Sequence, residues 1–105
     1  MSLIAQAYTF RYRCQHRELA RRAQKVFDYL IYKDQPGLLS LSYERSDDEY
    51  TFRFDARQPI EPQLIDRLIQ ALDSFQGFKL VSMTPHTTPA NFGLLDYHQN
   101  QISWN

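Results

Sequence analysis

The chain is poor in the residues that build cross-linked, metal-bound and nucleotide-binding sites. Among 105 residues the single cysteine, Cys14, excludes an internal disulfide and any zinc site made from several thiolates. The three glycines, Gly37, Gly77 and Gly93, stand apart, so no glycine-rich loop is available to cradle a phosphate. No apolar run approaches the ~20 residues needed to cross a bilayer. The opening Met1-Ser2-Leu3-Ile4-Ala5 also lacks the basic flank and long apolar stretch of a secretion signal. The expectation is a soluble, cytoplasmic protein with no membrane partner. Neither a Gly-x-Ser-x-Gly nor a His-Glu-x-x-His motif occurs, and no carboxylate pair has a clear reason for a raised pKa. No catalytic residue and no cofactor are therefore expected.

Net charge is lacking as well, with 12 Lys and Arg against 12 Asp and Glu, but the balance hides a segregation. Residues 1–33 hold seven basic side chains (Arg11, Arg13, Arg17, Arg21, Arg22, Lys25 and Lys33) and two acidic ones (Glu18 and Asp28), a surplus of five that the remaining residues cancel. Such asymmetry creates a local field even at zero total charge, unless folding interleaves the two parts. What the chain has in quantity is aromatic surface, seven Phe, seven Tyr and one Trp, too much apolar area for a disordered chain to leave in water.

That surface is distributed with clear periods. Tyr8, Phe10, Tyr12 and Cys14 alternate with Thr9, Arg11 and Arg13, which predicts a strand over 7–14 with one wet face. From Gln15 the period changes: Leu19, Ala23, Val26, Phe27, Leu30 and Ile31 form a helical stripe that ends near Lys33, before Pro36-Gly37. Leu39, Leu41 and Tyr43, then Tyr50, Phe52 and Phe54, predict two half-buried strands joined by a hairpin at Ser46-Asp47-Asp48-Glu49. A second helix is expected from Pro62 to Phe75, stopped by Gly77, and a fourth strand from Phe78 to Met83. The order βαββαβ favours a ferredoxin-like α+β sandwich over residues 1–83. In it a four-stranded antiparallel sheet has its first and third strands central and both helices on one face. Residues 84–105 form a C-terminal extension. Pro85 to Pro89 reads as an extended linker, and the later aromatics are expected to be ordered against this domain or a neighbouring subunit.

Assigning faces assigns roles. The aromatic stripes must meet the helices, leaving Thr9, Arg11, Arg13, Thr51, Arg53 and Asp55 on the opposite face. This removes the resemblance of Tyr-Thr-Phe-Arg-Tyr to a base-stacking surface, since the rings point into the core. The leading expectation is a non-enzymatic interaction or regulatory protein. It would bind a protein partner, or itself as a homodimer, through Arg11, Arg13, Arg53 and Asp55 and the tail aromatics Phe92, Tyr97 and Trp104, with Arg53 and Asp55 able to pair reciprocally across a two-fold axis. A second reading is a nucleic-acid binder, or an antagonist of nucleic-acid machinery, using the basic ridge of Arg17, Arg21, Arg22 and Lys25 together with the sheet arginines. A third is a ligand-binding or catalytic dimeric α+β barrel with a pocket lined by Tyr8, Tyr12, Tyr43 and Cys14. Cys14 and His16, two apart, are the minimal thiol and imidazole pair but lack an orienting third group. His86, Asp96 and His98 are the weak candidates for a divalent metal, and no metal is expected.

Overall fold

The computed structural model describes residues 4–89. Six elements follow one another: β1 (Ile4–Arg13), α1 (Arg17–Asp34), β2 (Leu38–Ser46), β3 (Glu49–Ala56), α2 (Pro62–Asp73) and β4 (Lys79–Pro89). The strands form one antiparallel sheet in the order β2-β3-β1-β4, so β1 and β3 are central, as the alternation predicts. This is the ferredoxin-like α+β sandwich.

The helices cover the face that the aromatic stripes select. α1 buries Ala20, Ala23, Phe27 and Ile31, and α2 buries Leu64, Ile65, Leu68 and Leu72, against Phe10, Tyr12, Phe52, Phe54 and Phe78. Phe27 stands edge-on to Phe10, with ring centres 5.6 Å apart, and packs at 5.1 Å from Phe52, while Tyr12 stacks on Phe78 at 4.3 Å. Each such pair adds about 0.5–1.5 kcal/mol beyond the burial of its area. Arg67 of α2 reaches Asp34 at the end of α1 at 2.6 Å and ties the helices together at the surface.

The connections follow from local chemistry. Asp47 takes φ 55° in the two-residue turn between β2 and β3, a conformation that aspartate tolerates because its short side chain can bond nearby amides. Gly37, at φ 69°, faces Gln58 so closely that an added Cβ would lie 2.9 Å from the Gln58 Cγ and 3.2 Å from its amide nitrogen. Buried Gln35 donates from Nε2 to the Pro36 carbonyl at 2.8 Å and to those of Gln58 and Pro59 at 3.4 Å, and the Ile60 amide donates to Gln6 Oε1 at 2.9 Å. These bonds pin the β3 to α2 loop against the sheet.

Two expectations are corrected. The core-facing row of β2 begins at Leu38, not Leu39. A register shift between Leu38 and Ser40 places Leu39 in a bulge, where it is 37% exposed, while Leu38 pairs opposite Ala56 and packs on the core. The fourth strand does not stop at Met83: it continues through the segment read as a linker, pairing Pro85 opposite Tyr8 and Pro89 opposite Ile4. Proline is admissible here because β4 is an edge strand, where a missing N–H is lost only from the free side. The remainder of the expected extension, residues 90–105, lies outside the described residues.

Candidate functional site

The face of the sheet turned away from the helices carries Thr9, Arg11 and Arg13 of β1 directly opposite Arg53, Thr51 and Glu49 of β3. Its arginines are already engaged. Arg11 Nη2 donates to Glu49 Oε1 at 2.5 Å and Arg13 Nη2 donates to Glu49 Oε2 at 3.2 Å, with Arg13 Nε 3.8 Å from Asp48. The hydrogen bond from Arg11 holds the Glu49 carboxyl below its ordinary range, and Arg13 adds to the effect. Arg53 and Asp55, two apart on one strand, share a face and form a fork of 2.9 and 3.5 Å. Their side chains are only 23% and 15% exposed.

The predicted sheet-face residues are thus brought together, but as pairs within one chain rather than as free guanidinium groups. Arg53 and Asp55, expected to pair across a two-fold axis, satisfy each other. Glu49, read as part of the hairpin turn, is the first residue of β3 and the acid that organises the surface. Its face was accessible from parity, because Glu49 alternates with Tyr50 and Phe52 and so shares the outer side with Thr51, Arg53 and Asp55. The pairing of β1 with β3 sets it opposite Arg13. At the other end of the same face Ala5 and Ala7 are buried, and His86 Nε2 and Thr9 Oγ1 share a hydrogen bond of 3.2 Å.

The basic ridge of α1 divides. Arg17 and Arg21 line an open cleft of about 470 Å³ with Glu18, Ala20, Gln24, Arg45 and Tyr50, whereas Arg22 and Lys25 stand exposed outside it. Arg45, absent from the expected set, comes from the end of β2 opposite Tyr50. It lies on the helix side of the sheet, with its guanidinium 6.0 Å from the centre of the Tyr50 ring and its Nε donating to the Asp47 carbonyl at 3.1 Å. The cleft sits where the start of α1 meets the hairpin, an arrangement fixed by the Cys14 amide donating to the Asp48 carbonyl at 2.8 Å.

The remaining candidates resolve as packing. Cys14 is 2% exposed and its thiol donates to the His16 carbonyl at 3.2 Å, so the sulfur is directed at backbone rather than imidazole. Both residues border a second cleft, of about 310 Å³, with Arg13, Gln15, Gly77 and Lys79. Tyr8 stacks on Phe10 and Phe54, Tyr43 lies edge-on to Phe52, and Tyr12 and Cys14 belong to the buried core, so these four fill space between sheet and helices. Among the described residues no group of three metal-ligating side chains assembles, and no helix is long and apolar enough to cross a membrane. Asp96, His98, Phe92, Tyr97 and Trp104 lie outside the described residues. Three buried polar atoms have no partner among the described residues: Tyr12 Oη, Tyr43 Oη and Asp28 Oδ1. Burial pushes the Asp28 carboxyl up to about 6, and burial with the nearby Asp73 charge pushes the Tyr12 phenol well above its usual value.

No protein-family model matches the chain, and no curated protein matches it in sequence. Solved structures do match in shape. The C-terminal domain of the MgtC protein from Mycobacterium tuberculosis superposes with a TM-score of 0.55 at 12% identity, covering 82% of this chain and 88% of that one. MupZ from Pseudomonas fluorescens gives 0.50 at 11%, covering 98% and 82%. The de novo designed protein Foldit4 gives 0.51 at 15%, covering 80% and 96%. An architecture shared by natural and designed chains at such low identity carries no activity with it, so the likeness of this chain to these proteins is one of fold alone.

Proposed function

We propose that this chain is a small interaction protein that docks a protein partner, in the first instance a second copy of itself, through the outer face of its sheet. The observation that carries the reading is the internal charge compensation of that face. Each of Arg11, Arg13 and Arg53 has an acidic neighbour within 4 Å, so a polyanion would have to displace Glu49 or Asp55 before gaining a phosphate contact. A partner protein meets no such barrier: it covers a polar surface whose charges are already paired and ordered.

Size supports a role for the tail. Four strands about 4.8 Å apart and about ten residues long present roughly 600 Å². A specific interface takes about 800 Å² from each partner and needs an apolar centre. The described part of β4 ends at Pro89, opposite Ile4, and the sequence beyond it includes Phe92, Tyr97 and Trp104. These aromatics are of the type that anchors interfaces and would add the missing apolar area.

Light scattering of the full chain over a range of concentrations tests the reading. The wild type is expected to self-associate, and Thr51→Arg, which adds bulk at the centre of the face, is expected to weaken association by about tenfold or more. A wild type that stays monomeric at every concentration contradicts the self-docking form of the proposal.

A further inference from the structure

We infer that the cleft between the start of α1 and the end of β2 is a binding site for a phosphorylated small molecule, a phosphomonoester dianion held by Arg17, Arg21 and Arg45. Three arginines from two separate elements line one open cleft of about 470 Å³, within the range that ligand clefts occupy. Among the described residues Glu18 is the only acid on its walls, which leaves them with a surplus of two positive charges. The contrast with the outer sheet face is direct. There every arginine is ion-paired, whereas among the described residues Arg17, Arg21 and Arg45 make no ion pair with any carboxylate.

The geometry also suits the ligand class. Arg17 and Arg21 are one helical turn apart and project from the same flank of α1, with Gln24 completing the stripe as a neutral donor. Arg45 is oriented by its bond to the Asp47 carbonyl and by the Tyr50 ring, so one wall of the site is set before a ligand arrives. Guanidinium forks match the oxygens of a phosphate, and the exposed first turn of α1 adds the favourable end of the helix dipole. Arg17, Arg21 and Arg45 share one cleft that does not extend to Arg22 and Lys25, and this localised cluster points to a small molecule instead of a nucleic-acid backbone.

NMR titration of the full chain with AMP, inorganic phosphate and a short oligothymidylate tests the inference, read on the arginine Nε–H signals and confirmed by calorimetry. AMP is expected to bind saturably in the millimolar range or tighter and to shift the signals of Arg17, Arg21 and Arg45. Arg21→Gln and Arg45→Gln are each expected to weaken it by about tenfold, and Arg22→Gln, outside the cleft, to leave it unchanged. Phosphate alone shifting the same signals more weakly assigns the affinity to the phosphoryl group and supports the inference. No saturable shift at millimolar AMP and low salt overturns it. Tighter binding of the oligonucleotide, lost equally in Arg22→Gln and Arg21→Gln, also overturns it in favour of a nucleic-acid surface. Unchanged far-ultraviolet circular dichroism of the variants keeps loss of binding distinct from loss of fold.

Discussion

Replacing Asp28 by asparagine should stabilise this protein at neutral pH and remove a specific pH dependence. Asp28 lies on α1, half-buried, with Oδ1 out of contact with solvent and without a partner among the described residues. Burial raises its carboxyl from 3.8 to about 6. For a dry site that difference corresponds to a cost of about 3 kcal/mol for the ionised form. The side chain is partly wet, so solvent screening reduces the net effect to about 1 kcal/mol. Because the folded-state value lies above the unfolded one, the folded state binds more protons between about pH 4 and 6, and stability falls as pH rises through that window. The cost is complete above about pH 7 and absent below about pH 4. Asparagine does not titrate, so the Asp28→Asn variant should exceed the wild type by about 1 kcal/mol at neutral pH, a rise of about 4–8 °C in Tm, and lose its advantage towards pH 4. Thermal and urea unfolding followed by circular dichroism at several pH values measure both quantities. An advantage of the same size at every pH, or none at neutral pH, would refute the reasoning.

Three further outcomes follow from packing and charge. Phe10→Ala or Phe52→Ala, at side chains 0% and 1% exposed, should cost about 3–5 kcal/mol in urea unfolding, since either leaves a cavity among stacked rings. Gly37→Ala should destabilise by about 1–2 kcal/mol, because φ 69° is unfavourable for alanine and the new Cβ would press on Gln58; a neutral result would show that the loop yields freely. Glu49→Gln should weaken the hold on Arg11 and Arg13 and raise the affinity of the outer face for polyanions above that of the wild type, read as increased salt-sensitive retention on heparin. The ion pairs of Glu49, whose carboxyl is held low, persist above the ordinary carboxylate range and are lost only as pH falls through its lowered value.

The sheet, its central strands and its buried face were legible because period-2 alternation in β1 and β3 is strict and the helical stripes are wide. Where the alternation broke, so did the reading. Leu38 and Leu39 are chemically alike, and the bulge that turns one inward and the other outward depends on pairing with β3, which no local pattern records. The second half of β4 read as a linker because Pro85 and Pro89 are strand breakers in general. Their tolerance depends on β4 lying at an edge, a property of the whole sheet.

The candidate sites divide in the same way. Arg11, Arg13 and Arg53 could be placed on the outer face from parity alone, but their neutralisation by Glu49 and Asp55 needed the register of β1 against β3 and the rotamers of the fork. Arg45 carried no sequence signal of its own. It acquires meaning only where the hairpin end meets the start of α1, 28 residues from Arg17 in sequence.

The central claim is that the outer face of the sheet is a protein-docking surface. The methyl groups of Thr9, Thr51 and Thr84 report on that face, and those of Ala20 and Leu68 on the buried side beneath the helices. A methyl NMR dilution series of the full chain therefore tests it most directly. The account predicts concentration-dependent shifts at Thr9, Thr51 and Thr84, with Ala20 and Leu68 unmoved. Shifts confined to methyls on the helix side, or a spectrum that does not change with concentration, would contradict it.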